Sequence, residues 1–179
     1  MPSNKDRLYI ALYARGGGPK MPGKEDTYHW AILMGPKDEN KQSNGTRFHA
    51  KESITGPNAS TWLFEERTTS LGATSMLLVR VMVAKIEKRD RCISILRDTP
   101  IRQGEVGWNC VGWVQEALLN LEKDGKALGT SLTEWTTVRD TAMEYCQRKR
   151  DEHRFDGSST HDIGMAPTYD LLEKKETIP

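Results

Sequence analysis

The sequence predicts an α+β fold in which an antiparallel sheet packs against helices. Strand-like patterns occupy the first half of the 179 residues, and helical patterns occupy most of the second half. A parallel sheet would instead require strands and helices to alternate along the chain, because each crossover uses a helix. Stretches rich in Gly, Pro and Asn separate the strand patterns, which is typical of turns between antiparallel strands.

Five segments of the first half have the length and composition of strands. The predicted strands are residues 8–14, 28–35, 46–53, 61–68 and 76–86. The last of them, "MLLVRVMVAKI", contains few charges and many Val and Leu residues. This composition is typical of a central strand that is covered on both faces.

Three later segments predict helices. Residues 87–98 form the first, which must stop before Pro100. The second runs from about residue 110 to residue 123 and ends at Gly125. The third begins at "SLTE", where Ser131 and Glu134 have the spacing of a capping box. Its predicted inner face carries Trp135, Val138, Ala142 and Tyr145.

The composition fits one globular domain, because 36% of the residues are hydrophobic and 28% are charged. We predict a single domain over residues 1–156 and a C-terminal tail over residues 157–179 that forms little structure of its own. No segment resembles a signal peptide or a membrane span, so we expect a cytoplasmic protein without integral membrane association. A net charge of +1 gives no reason to expect a nucleic-acid partner.

The cysteines indicate no disulfide framework and no paired zinc motif, because the three are widely spaced. Cys110 differs from Cys92 and Cys146, which lie within helical patterns and are predicted to be structural. Asn109 can cap the helix that begins at Cys110, and the free amides of a helix start favour a thiolate there. The alternative is that Cys110 is a buried small hydrophobe.

Two of the four histidines, His29 and His49, lie within strand patterns. If their strands form a hairpin that closes near residue 39, the two side chains face each other directly on one face of the sheet. His29 would share that face with Ala31 and Leu33, which suits the packing of a helix. The pattern therefore predicts a triad of Cys110 as nucleophile, His29 as base and His49 as the orienting residue.

Alternatives to this triad remain open at the level of sequence. A carboxylate, Glu52 or Glu65, could orient His29 in place of His49, and two histidines with one cysteine could bind zinc. His153 and His161 lie in charged or polar segments and are predicted to be surface residues.

The segments "YHWAILMG", "RFHAKE" and "NCVGWVQEALLNL" resemble the lecithin–retinol acyltransferase-like proteins. That family is a circularly permuted branch of the papain-like fold. It carries a His-Trp-Ala strand, a second strand histidine and an Asn-Cys pair that opens a helix. The resemblance covers roughly residues 28–122 and implies His29 as base, His49 as its partner and Cys110 as nucleophile. The chain also resembles a set of uncharacterised small fungal proteins, which implies no function.

The predicted function is that of a cysteine-dependent acyl hydrolase or acyltransferase that requires no cofactor or metal. Its expected substrate is a small-molecule or peptide ester, thioester or amide, and Trp30, Trp108 and Asn109 are the candidate substrate-binding residues. The charged end "EKKETIP" departs from the hydrophobic tail of the lipid enzymes, so a membrane lipid is not the expected substrate. The alternatives are a permuted papain-like peptidase that cleaves a ubiquitin-like tail and a non-catalytic binding protein.

Overall fold

The computed structural model describes residues 5–72, 74, 76–158 and 164–179. Within these residues the helices are α1 (Arg89–Asp98), α2 (Cys110–Asp124) and α3 (Trp135–Asp151). The strands are β1 (Arg7–Ala14), β2 (Tyr28–Gly35), β3 (Asn44–Gly56), β4 (Ala59–Ser70), β5 (Leu77–Ile86), β6 (Leu128–Ser131), β7 (Thr168–Asp170) and β8 (Lys175–Ile178). The predicted α+β class is confirmed, and each of the five predicted strands matches an observed strand to within three residues.

The strands form one open sheet in the order β4-β3-β2-β1-β5-β7-β8, with β6 also paired to β5. The pairs are antiparallel apart from β5 and β7, which run parallel. Short turns favour this arrangement, because antiparallel strands need few connecting residues. Between β3 and β4, Asn58 supplies the turn with a left-handed φ of 58°, which Asn tolerates better than most residues.

The helices pack on one face of the sheet, which we call the helix face. Alternation along β1 sends Leu8, Ile10 and Leu12 to this face, where they join the core formed with the helices. Tyr9 and Tyr13 point to the opposite face, which we call the loop face, because residues outside the strands such as Leu71 cover it. The two cores are separate clusters. Whether a strand side chain lies near the helices or near the loops therefore depends on which of the two alternating faces it occupies.

The start of α3 differs from the prediction. Ser131 does not cap α3, because it belongs to β6 and pairs with Ala84 of β5. Glu134 is the N-cap instead, and its carboxylate accepts hydrogen bonds from the backbone N–H groups of Thr136 and Thr137 at 3.0 and 2.8 Å. The segment before α3 pairs with β5 and forms β6, a strand that the sequence pattern did not indicate. Because of this pairing, the helix begins three residues later than predicted.

The C-terminal tail is not the weakly structured segment that the sequence predicted. Its strand β7 pairs in parallel with β5, and Arg80 of β5 donates a hydrogen bond from Nε to Thr168 Oγ1 at 3.0 Å. Glu176 in β8 accepts from Tyr145 Oη at 2.7 Å and lies 2.6 Å from Lys149 Nζ. Short strands of three and four residues carry too little periodicity to be recognised, although they complete the sheet.

Candidate active site

His29 and His49 are brought together by the β2–β3 hairpin, although not in the predicted register. The ladder pairs Ile32 with Phe48 and Met34 with Thr46, which places His49 two residues away from the position opposite His29. The prediction that His29 and His49 face each other directly is therefore wrong. A displacement of two residues keeps the side chains on the same face, so the predicted shared face is correct. His29 Nε2 lies 2.6 Å from His49 Nδ1.

The chain of hydrogen bonds continues to Glu65 on β4. His49 Nε2 lies 2.9 Å from Glu65 Oε1, and the two residues are paired across the β3–β4 ladder. The sequence offers Glu65 as an alternative residue to orient His29, but in the structure Glu65 contacts His49. Glu52, the other candidate carboxylate, accepts a hydrogen bond from Ser60 Oγ at 2.7 Å and orients neither histidine.

The charge on Glu65 fixes the protons along this chain. The hydrogen bond from His49 lowers the pKa of Glu65 to about 2, so its carboxylate only accepts hydrogen bonds near neutral pH. His49 Nε2 must then carry a proton, which leaves Nδ1 of a neutral His49 as the acceptor for His29 Nε2–H. The remaining ring nitrogen of His29, Nδ1, is unprotonated and has the electronic form of a general base.

Burial keeps both imidazoles neutral. It lowers the pKa of His29 to about 3, with a further contribution from the neighbouring His49 and Arg47. It also lowers the pKa of His49, and the hydrogen bond to Glu65 opposes that effect. Arg47 Nη2 donates to Glu65 Oε1 at 3.2 Å, and its guanidinium lies 5.5 Å from the centre of the Tyr13 ring. Arg47 was missed in the sequence, although its position two residues before His49 on a strand places it on the same face.

Cys110 lies at the first position of α2, as predicted. Asn109 caps the helix, because its Oδ1 accepts a hydrogen bond from Val111 N at 2.9 Å. The thiol is fully buried, and burial raises its pKa. The backbone N–H of Trp30 and the charge of Arg15 oppose that rise, as do the amides at the helix start. The thiol therefore lies among N–H groups that favour negative charge.

The structure does not join Cys110 to the histidines. Cys110 belongs to the helix-face core with Trp30, whereas His29 contacts Tyr13 on the loop face with ring centres 6.1 Å apart. The predicted packing of a helix on the face of Ala31 and Leu33 is wrong, because those residues belong to the loop-face core. Within the described part of the chain, no hydrogen bond links the Cys110 sulfur to either imidazole.

The Cys110 thiol nevertheless lies beside β2, next to the residue that follows His29. The β2–β3 ladder contains the pairs from Ile32 to Met34 and does not extend to residues 28–31. Trp30, whose backbone N–H acts on the Cys110 thiol, directly follows His29. The two groups thus lie on opposite faces of the sheet near the start of β2, where the strand is paired with β1 but not with β3.

A cavity of about 230 Å³ lies at the start of α2. Trp108 and Asn109 line it, together with Trp135 and Met21, so two of the predicted substrate-binding residues reach a surface hollow. Trp30 does not, because it is fully buried and its Nε1 donates to the Glu25 carbonyl at 2.8 Å. Its role is in the core, where it packs against Trp135 with ring centres 5.5 Å apart.

The remaining cysteines and histidines that the structure describes lie outside the candidate site. Cys92 and Cys146 are buried within α1 and α3, as expected for structural cysteines. His153 is exposed and its Nδ1 lies 2.7 Å from Asp156, whereas His161 lies outside the described residues. Across the residues that are described, no group of three or more His, Cys, Asp and Glu side chains is arranged to hold a metal ion. None of the described helices is long and apolar enough to cross a membrane.

The fold and site define a small α+β protein with a histidine–histidine–glutamate hydrogen-bond network on one face of the sheet and a cysteine at a capped helix start on the other. The chain belongs to a family of unknown function, DUF6914, whose family model matches residues 5–178. Searches of the curated proteins and of the solved structures found no match. The family match spans both the predicted domain and the tail.

Proposed function

We propose that this protein is a cysteine-dependent acyl hydrolase or acyltransferase with a circularly permuted papain-like fold. The observation that carries the proposal is the hydrogen-bond chain from Glu65 through His49, which leaves Nδ1 of His29 unprotonated. That base lies one residue from Trp30, whose backbone N–H acts on the Cys110 thiol. A capped helix start around the thiol supplies further N–H donors for a developing negative charge.

In the proposed reaction, His29 Nδ1 takes the proton from the Cys110 thiol and the sulfur attacks the substrate carbonyl carbon. The carbonyl electrons move to the oxygen, and the backbone N–H of Cys110 at the helix start stabilises the oxyanion. The oxyanion collapses, the bond to the leaving group breaks, and the imidazolium returns its proton to that group. Water, or an alcohol or amine acceptor, then attacks the thioester and releases the acyl group with His29 again acting as base.

The reaction requires His29 to turn toward the helix face, because the resting thiol makes no hydrogen bond to its ring. Residues 28–31 have no ladder pairs with β3 to break, so this movement has to distort only the β1–β2 ladder, in which His29 pairs with Tyr13. The Cys110 thiol is fully buried and does not line the cavity at the helix start, so the loop that carries Trp108 would have to move to connect the two. Such a resting state is compatible with catalysis, because catalytic contacts often tighten only when substrate is bound.

The test is alkylation of the three cysteines by iodoacetamide, measured peptide by peptide across pH. We expect Cys110 to react faster than Cys92 and Cys146 below pH 8, and His29→Ala to remove that advantage. His153→Ala is the matched control, because it deletes an exposed histidine that lies outside the candidate site. A Cys110 as inert as the other two cysteines, or a rate unchanged by His29→Ala, would contradict the proposal.

A second measurement follows the acyl group itself. After incubation with p-nitrophenyl acetate and acid quenching, peptide mass spectrometry should place an acetyl group on Cys110 and not on Cys92 or Cys146. Glu65→Gln should slow this acylation because it removes the anion that fixes the proton on His49 Nε2. Peptidase action on a ubiquitin-like tail would proceed through the same thioenzyme and is distinguished by the substrate that is turned over.

One observation favours a second candidate, a non-catalytic binding protein on the same scaffold. The Cys110 thiol is fully buried and burial raises its pKa, as is usual for a structural cysteine. In that case His29, His49 and Glu65 form a buried polar network that stabilises the β2–β4 strands. Failure of both the alkylation and the acetylation experiments would select this candidate.

A further inference from the structure

A larger cavity, of about 1010 Å³, lies at the end of the sheet where β1 ends and β2 and β5 begin. The end of α3 and the residues just before β7 close its other sides. Its apolar lining includes Ala14, Tyr28, Leu77, Leu78, Phe155 and Pro167. Neither Cys110 nor the two strand histidines line it, so this cavity is separate from the candidate active site.

Positive charge is concentrated at one side of the cavity. Ala14 and Tyr28 are paired at the end of the β1–β2 ladder, so Arg15 lies immediately beyond that pair. The Arg150 guanidinium lies 5.3 Å from the centre of the Tyr28 ring, over the same end of the ladder. Arg15, just beyond β1, and Arg150, in α3, therefore both line the cavity.

These two cations have donors available for a ligand. Arg15 makes one long hydrogen bond, from Nη1 to the Asp26 carbonyl at 3.5 Å, and Arg150 has no carboxylate partner within the described residues. The acidic residue in the lining, Asp156, is already engaged by His153 at 2.7 Å and by Ser158 N at 2.9 Å. The lining therefore combines two guanidinium groups that donate to no described carboxylate with an apolar surface that includes Leu77 and Leu78.

We propose that this cavity binds a small amphiphilic anion. Its carboxylate or phosphate group lies between Arg15 and Arg150, and its aliphatic or aromatic body lies against Leu77, Leu78 and Phe155. Guanidinium groups are well suited to both anions because their planar N–H donors match two oxygens at once. A cavity of this volume is large enough for a small organic ligand, and apolar walls with a few polar groups are typical of such sites.

The site goes beyond the proposed acyl chemistry and is tested without it. Isothermal titration calorimetry on the full chain with octanoate, octyl phosphate and octanol separates the two anionic headgroups from the apolar tail. We expect at least one of the anions to bind about tenfold or more tightly than octanol. Arg150→Gln and Arg15→Gln should each weaken that anion by about tenfold.

The matched control is Arg67→Gln, which removes the same charge from an exposed position on β4 that is remote from the cavity. Circular dichroism melts of all three variants check that folding is unchanged. Binding of octanol as tight as that of both anions would overturn the proposal. The absence of measurable binding by either anion, or equal losses in Arg150→Gln and Arg67→Gln, would overturn it as well.

Discussion

His29 and His49 lie in contact on the loop face, and both are neutral near pH 7 because burial lowers their pKa values. Their order in the hydrogen-bond network that ends at Glu65 decides which ring nitrogen carries no proton. Since Glu65 is ionised, His49 donates its Nε2 proton to Glu65, and His29 donates its Nε2 proton to His49. The unprotonated nitrogen is then Nδ1 of His29. A change of protonation at Glu65 would therefore be transmitted to His29.

The depressed pKa of His29 predicts a pH dependence of stability. In the unfolded chain His29 binds a proton below pH 6.5, whereas in the native protein its pKa is about 3. The unfolded state thus binds more protons between these values, so the free energy of unfolding falls as pH falls from about 6.5. Each such histidine contributes up to about 1.4 kcal/mol per pH unit.

Urea unfolding between pH 5.5 and pH 6.5 measures this slope, because the unfolded-state pKa of Glu65 is 4.5 and Glu65 therefore affects stability mainly at lower pH. We expect His29→Asn to flatten the slope by about 1 kcal/mol per pH unit, and His153→Asn to leave it unchanged. Identical slopes in wild type and His29→Asn would mean that His29 is not buried in its neutral form.

At the scale of the elements, the start of α2 positions the candidate nucleophile. The Asn109 side chain satisfies one of the free amides of the helix, while its Nδ2 donates to Met21 Sδ at 3.4 Å. The cap holds the chain in an extended conformation at Asn109 and turns it into the helix at Cys110. This single side chain thereby fixes where the thiol begins its helix.

Two substitutions of Asn109 measure how much its helix cap contributes to stability. Asn109→Ala should lower the free energy of unfolding by about 1 kcal/mol, because it leaves the Val111 amide without its acceptor. Asn109→Asp retains an acceptor and should stay within about 0.5 kcal/mol of wild type. Urea denaturation with far-ultraviolet circular dichroism measures both, and equal losses in the two variants would show that the cap is not the cause.

At the scale of the whole molecule, the C-terminal strands close the sheet and connect it to α3. Lys149 has only 2% of its side chain exposed, and Glu152 and Glu176 neutralise its charge at 2.8 and 2.6 Å. Tyr145 donates to the same carboxylate of Glu176. A buried ammonium and a buried phenol in α3 thus depend on a residue from the last strand of the chain.

Glu176→Ala tests whether the tail is an integral part of the fold. We expect a loss of about 2 kcal/mol in the free energy of unfolding, because the buried Lys149 keeps only the exposed Glu152 as a partner. Tyr145 keeps only the longer hydrogen bond to the Ile178 carbonyl, at 3.3 Å. Glu173→Ala is the matched control, since Glu173 pairs with the exposed Lys175, and it should cost less than about 0.5 kcal/mol. Thermal or urea unfolding of the two variants decides, and equal losses would mean that the tail only rests on the domain.

The amino-acid pattern alone predicts the α+β class, five of the strands and the capped start of α2 at Cys110. These features depend on local periodicity, turn residues and caps, which act over a few residues and leave a readable pattern. The shared face of His29 and His49 is predicted only for an assumed hairpin register. Glu65 could be proposed as an orienting carboxylate, but its true partner depended on the β3–β4 register.

Three features depend on packing across the whole fold: the two-residue displacement of the hairpin, the strands β6, β7 and β8, and the burial of Trp30 and Cys110 on the face opposite His29. A long hairpin loop does not specify register, because many closures have similar free energies and packing chooses among them. Which face receives the helices is likewise a property of the whole core, since both faces of β1 and β2 are apolar.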